Sequence, residues 1–144
     1  MDEITVQEIE RKKKYLKRYK KNVALISRLQ RKVNDLDRRS KSLKFPTLSD
    51  MPRGGEPITA YDLTNEKIEL EQRIDRLTSK GDKLKAEILD CIDTLDDPRY
   101  AEILESFLID LKDFDIIADE NGYTERHVRR LYSEGLGAIN IKCQ

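Results

Sequence analysis

The chain has 144 residues, enough for one or two small domains. Its 28 Lys and Arg balance 28 Asp and Glu, 39% of residues are charged, and it holds four Pro, six Gly and no Trp. That mixture excludes collagen-like, Pro/Gly-disordered and disulfide-dense classes and suits long helices with wide solvated faces.

The zero net charge is built from opposed segments. Residues 1–45 hold 15 Lys and Arg against 6 Asp and Glu, residues 46–97 hold 7 against 13, and residues 98–144 hold 6 against 9. Electrostatic partners are therefore set by face and not by the total. The opening Met1-Asp2-Glu3 is acidic and lacks an apolar stretch, so no signal peptide is expected. No apolar run approaches the roughly 20 residues of a bilayer span. Cys91 and Cys143 belong to no CxxC or Cys/His cluster and are expected as reduced thiols. The expectation is a cytoplasmic protein with no membrane partner and no cofactor.

The first predicted element is a single helix over residues 5–43, free of internal Pro and Gly and about 57 Å long at 1.5 Å per residue. Leu16, Tyr19, Val23, Ile26 and Val33 follow a 3-4-3-7 spacing, an a/d seam in which Gln30 is the polar exception. Leu29, Leu36 and Leu43 form a second heptad row beside it. Such a helix needs a packing partner. Arg11-Lys12-Lys13-Lys14, Lys17-Arg18, Lys20-Lys21 and Arg38-Arg39 interleave with Tyr15 and Tyr19. They read either as a solvated helix face or as a non-specific phosphate-binding surface.

Residues 44–60 break the pattern. Phe45-Pro46, Met51-Pro52, Gly54-Gly55 and Glu56-Pro57 predict a loop. A second helix begins at Asp62 or Thr64 and runs to about residue 95, with Leu63, Leu70, Leu77, Leu84 and Cys91 repeating every seven residues. Ile74, Ile88 and Leu95 form the companion row, with Lys67 and Gly81 as exceptions. An interior Gly costs about 1 kcal/mol relative to Ala, so Gly81 is expected to mark a bend or a close helix approach. The two helices predict an antiparallel hairpin or a coiled coil between chains. A two-helix hairpin buries only one seam, so homo-oligomerisation or docking onto the C-terminal unit is expected.

Asp96-Asp97-Pro98 ends that helix and starts the next, with Pro at the first helical position. Residues 99–111 carry Tyr100, Ile103, Leu104, Phe107, Leu108 and Leu111 at helical spacing. Three short helical segments are expected from there to about residue 139. The predicted organisation is all-α: a long helical hairpin or coiled coil over 1–97 and a helix-turn-helix over 98–144.

The informative stretch is 114–133. A helix-turn-helix needs a small residue where the helices touch, a Gly able to take positive φ, and apolar residues at fixed inward positions. Ala118, Gly122 and Val128 fill the first positions, and Ile117, Tyr123 and Leu131 the remaining inward ones. Asp113 and Thr124 are suited to cap the two helices. With the second helix in the major groove, Thr124, Glu125, Arg126, Arg129, Arg130 and Ser133 would face the DNA, Arg being the commonest reader of guanine edges. His127, the only histidine, reads as a partly exposed surface residue, a DNA contact being the alternative, and has no partners for a metal. The first helix of the pair carries Asp113, Asp115, Asp119 and Glu120 and no basic residue. A helical hairpin that packs without touching DNA is the competing reading.

The run from Leu104 to Ile139, with Ile116-Ile117-Ala118, Asn121-Gly122-Tyr123-Thr124, Arg126-His127-Val128-Arg129-Arg130-Leu131 and Leu136-Gly137-Ala138-Ile139, resembles region 4 of sigma-70-type factors. It looks most like the ArpU/RinA-like late-transcription regulators of Gram-positive phages and mobile elements, and a related uncharacterised Gram-positive phage family. The resemblance covers about 40 residues, and it implies DNA binding, control of transcription and contact with RNA polymerase. No Gly-rich phosphate loop, nucleophile constellation or ligand cluster points to an enzyme. The expected function is a phage-type DNA-binding transcriptional regulator reading DNA with residues 124–133. A small-terminase-like packaging component and a protein-binding adaptor without DNA contact are the alternatives.

Overall fold

The computed structural model describes residues 3–43 and 60–141. The protein is all-α, with α1 (Glu3–Leu16), α2 (Arg18–Leu43), α3 (Ala60–Ile92), α4 (Pro98–Leu108), α5 (Phe114–Asn121) and α6 (Glu125–Ala138). No strand occurs among the described residues. The loop expected over 44–60 lies outside them, except that Ala60 already opens α3.

The helix expected over 5–43 is interrupted at Lys17. Arg18 Nε donates to the Tyr15 carbonyl at 2.9 Å, and its guanidinium lies 4.0 Å from the Tyr15 ring centroid. That carbonyl is the one a regular helix would offer to the Tyr19 N–H, and a side chain inserted in the ladder is a known source of helix irregularity. The flanking bonds Lys17 N–H to Lys13 O and Lys21 N–H to Lys17 O are both 3.0 Å, so the disturbance is local.

Contacts divide the chain into two compact units, Met1–Val23 with Gly81–Gln144, and Ala24–Lys80. The division crosses both long helices and does not fall at residue 97. The physical reason is a shared core: Leu16 of α1 and Ile88, Cys91 and Ile92 of α3 are buried in one cluster with Ile103, Leu104, Leu108, Ile117, Val128, Leu131 and Leu136.

In the first unit α2 and α3 run antiparallel, since Arg18 pairs with Glu87 at 2.9 Å while Asn22 lies against Gly81. A Cβ on Gly81 would collide with the Asn22 side-chain amide. The interior glycine therefore marks a close approach, one of its two expected roles. Gly135 does the same between α4 and α6, where an added Cβ would meet Tyr100 Cβ and Leu104 Cδ1 at 3.2 Å.

Helix ends differ from expectation for identifiable reasons. α3 stops at Ile92 and not near residue 95 because the Thr94 hydroxyl donates to the Cys91 carbonyl at 2.6 Å, competing with the helical ladder. α4 begins at Pro98 with Asp97 as its cap, accepting from Arg99 N–H at 2.9 Å. It stops at Leu108 because Leu111 takes a left-handed φ of 58° while Lys112 N–H returns to the Ser106 carbonyl at 3.0 Å. Among the described residues two helices follow α4, not three.

Lys12 departs most from its sequence reading. Within a run expected to be solvated or to hold phosphate, it is 7% exposed. Its Nζ donates to the carbonyls of Leu136 at 3.1 Å and Gly137 at 3.3 Å, at the C-terminal end of α6. Carbonyls left unpaired at a helix end carry partial negative charge, so a buried ammonium there is favourable. Lys12 thereby fastens α1 to α6.

In the second unit Leu29, Val33, Leu36 and Leu63 are buried, and Leu70, Ile74 and Leu77 are half-buried. These are the predicted heptad rows. Lys67 Nζ lies 2.7 Å from Asp37 Oδ1 and 3.7 Å from Glu71 Oε1, joining α3 to α2. Tyr61 is 74% and Ile68 45% exposed, so apolar surface remains outside the seam.

Replacing Lys12 by Met keeps the aliphatic stem and deletes the charged donor. Hydrogen bonds to charged groups contribute about 1.5–3 kcal/mol, so urea denaturation of Lys12→Met should show a loss of that order, with Lys14→Met, at an exposed position, close to the parent. Equal stability of the Lys12 variant and the parent would contradict the fastening role.

Candidate nucleic-acid interface

The candidate surface is the outer face of α6, and its placement begins at the preceding turn. α5 buries Ile117 and Ala118 and ends at Gly122, whose φ of 69° is left-handed. The Tyr123 N–H returns to the Ala118 carbonyl at 2.9 Å, closing the helix end. An L side chain at 122 would meet no neighbour but would be strained by the left-handed φ, so Gly is favoured here. Asp113 occupies the α5 cap position with extended backbone but makes no side-chain capping bond, contrary to its predicted role. Thr124 does cap α6, its Oγ1 accepting from His127 N–H at 3.1 Å.

From that start, Val128, Leu131, Tyr132, Gly135 and Leu136 face inward and are buried. Thr124, Glu125, Arg126, Arg129, Arg130 and Ser133 are all exposed. Positions 126, 129, 130 and 133 are spaced i, i+3, i+4 and i+7, so they share one helix face. The predicted site residues are thus brought together on one surface. Tyr123 is half-buried rather than fully inward. Its ring meets His127 edge-on at 4.8 Å.

The electrostatics of this face are partly self-compensated. Arg129 pairs with Glu125 at 2.8 Å, and Arg130 lies 3.7 Å from Glu134 and 3.2 Å from His127 Nδ1. Glu134 also accepts from the Tyr100 hydroxyl at 2.9 Å, the contact that chiefly raises the Tyr100 pKa above its ordinary value. Arg126 makes no ion pair among the described residues. Exposed i,i+4 pairs contribute only about 0.3–0.5 kcal/mol, so Arg129 and Arg130 exchange partners at little cost. α5 exposes Asp115, Ile116, Asp119 and Glu120, with Glu120 bridged to Lys112 at 2.9 Å.

Beneath α6 lies an aromatic cluster that helical periodicity alone does not reveal. Phe107 of α4 stacks on Phe114 of α5 at 4.5 Å, and Tyr132 of α6 meets them at 5.0 and 5.3 Å. The Arg129 guanidinium sits 5.0 Å from the Phe114 centroid. Phe107, Phe114 and Tyr132 are visible in sequence only as helix positions; their convergence depends on how α4, α5 and α6 pack together. No group of three or more His, Cys, Asp or Glu side chains suited to a metal occurs among the described residues. No helix among them is long and apolar enough to cross a membrane.

No family model, curated protein or solved structure matches the chain.

The Tyr132 hydroxyl is buried without a hydrogen-bond partner. Burial, with the charge of Glu10 as a smaller cause, pushes its pKa up to about 12, against about 10 for an ordinary tyrosine. The folded state therefore holds this proton more tightly than the unfolded one. The associated stability is complete below about pH 10 and is lost as pH rises toward 12. Denaturation across that range should show the parent losing stability relative to Tyr132→Phe, with the variant equal to or more stable than the parent at neutral pH. Parallel curves would show that the phenol is not sequestered.

Proposed function

We propose that the protein is a DNA-binding transcriptional regulator of phage or mobile-element type, with α6 as the helix that enters the major groove. The observation that carries this reading is the exposed row Arg126, Arg129, Arg130 and Ser133 on a helix started by the Gly122 turn and the Thr124 cap. The resemblance of residues 104–139 to region 4 of sigma-70-type factors supports the same assignment and adds RNA polymerase as a partner. A guanidinium presents two donors to the O6 and N7 edge of guanine. Arg126 is the strongest candidate for that contact because no carboxylate competes for it among the described residues. Arg129 and Arg130 divide between groove and phosphate once their exposed intrahelical pairs open.

Homo-oligomerisation through the long helices belongs to this proposal. Tyr61 and Ile68 leave apolar surface uncovered in the 24–80 unit, and a two-helix seam alone buries little area. A regulator that binds as a dimer would present two copies of α6 to DNA.

A second reading, a protein-binding adaptor, is favoured by one observation. Ile116 is 45% exposed among Asp115, Asp119 and Glu120 on α5. That surface suits a basic, partly apolar protein partner better than a phosphate backbone.

Gel-shift assays with the protein's own neighbouring genomic DNA separate the two. Under the regulator reading, Arg126→Ala weakens binding to the preferred site by about 1–3 kcal/mol and relaxes sequence preference. An Ile116→Asp variant retains DNA binding. Failure of the parent protein to bind any such fragment removes the regulator reading and leaves the adaptor.

A further inference from the structure

Within the unit formed by 1–23 and 81–144, two basic stretches far apart in sequence meet on one aromatic stack. Lys20 Nζ lies 4.6 Å from the Phe107 centroid, Phe107 stacks on Phe114 at 4.5 Å with 13° between the planes, and the Arg129 guanidinium lies 5.0 Å from the Phe114 centroid. Lys17 Nζ approaches Phe107 at 6.0 Å. The chain of contacts therefore runs Lys20, Phe107, Phe114, Arg129. Cations from α2 and α6 stand at the two ends of a stack two rings deep.

Ring faces hold cations through the aromatic quadrupole, which positions the charge without neutralising it. Lys17 and Lys20 are half-buried and make no ion pair among the described residues. An ammonium held against a ring face keeps its full charge and can still attract an anion. This position is also where the charge is needed, since Glu125 and Glu134 offset part of the arginine charge on α6.

We infer that Lys17, Lys20 and Arg129 form a backbone-phosphate clamp for double-stranded DNA, set beside the α6 face. The inference rests on the DNA-binding reading above and adds a sequence-independent contact from outside the α5–α6 pair. A strand bordering the groove that α6 enters presents a continuous line of negative charge. Lys17 and Lys20 reach that line from the Arg129 side of the exposed row, while Arg126 on the same face addresses the bases. Isolated carboxylates on a protein partner would not supply such a line.

The test uses the full chain and two fluorescently labelled duplexes of unrelated sequence, titrated between about 50 and 200 mM salt. The double variant Lys17→Gln/Lys20→Gln keeps good helix formers, and thermal melting checks its fold. Each phosphate contact contributes about 0.9 to the slope of log affinity against log salt. The double variant should be shallower by about two, weaken both duplexes by the same factor, and be restored by Lys17→Arg/Lys20→Arg. Lys20→Gln alone should shift the slope by about one, so the proposal is tested even if the double variant melts early. A parent that binds DNA and a double variant that keeps the parent's slope together overturn the clamp and leave the α6 reading standing. Loss confined to one duplex also overturns it, and a parent that binds neither duplex at the lowest salt overturns both.

Discussion

The outer face of α6 depends on how the helix is held, and it is held at both ends by a few specific groups. At the start, Gly122 turns the chain through a left-handed φ of 69° and Thr124 accepts the His127 N–H. At the finish, the buried Lys12 ammonium donates to the carbonyls of Leu136 and Gly137. Between them Gly135 lets α4 approach so closely that an added Cβ would press on Tyr100 Cβ and Leu104 Cδ1 at 3.2 Å. A helix pinned in this way has one buried stripe and one exposed face, and rotation about its axis would expose Val128 and Leu131.

That constraint gives the charges their meaning. The outer face carries arginines whose carboxylate partners are exposed residues one turn away on the same helix. Such pairs contribute tenths of a kcal/mol, much less than a desolvated pair. They keep the free protein near neutrality on this face without committing the guanidinium groups. The cations around Phe107 and Phe114 are governed differently, since aromatic faces order them without cancelling their charge.

Much of this arrangement is legible in sequence where local chemistry decides it. The Leu heptads predict the buried rows, Pro98 marks the start of α4, and the pattern of Ala118, Gly122, Thr124 and Val128 places the turn and the cap. What escapes has a tertiary cause. Lys12 looks like its exposed neighbour Lys14 until α6 is packed beside it. The interruption at Lys17 arises from one side chain bonding one carbonyl, which leaves no mark in composition. The compact units cut across α2 and α3 because α1 and the end of α3 share a core with α4 to α6, and helical periodicity is blind to such a division. Asp113 shows the reverse error, a residue of the right type whose side chain makes no cap.

The central claim is that the exposed face of α6 is a nucleic-acid surface. Amide chemical-shift mapping on the full chain during titration with duplex DNA tests it most directly. The account predicts that the changes concentrate at residues 124–133 on the exposed positions of α6, and that added salt reverses them. Changes confined to residues 24–80 or to α5, with residues 124–133 unmoved, would contradict it.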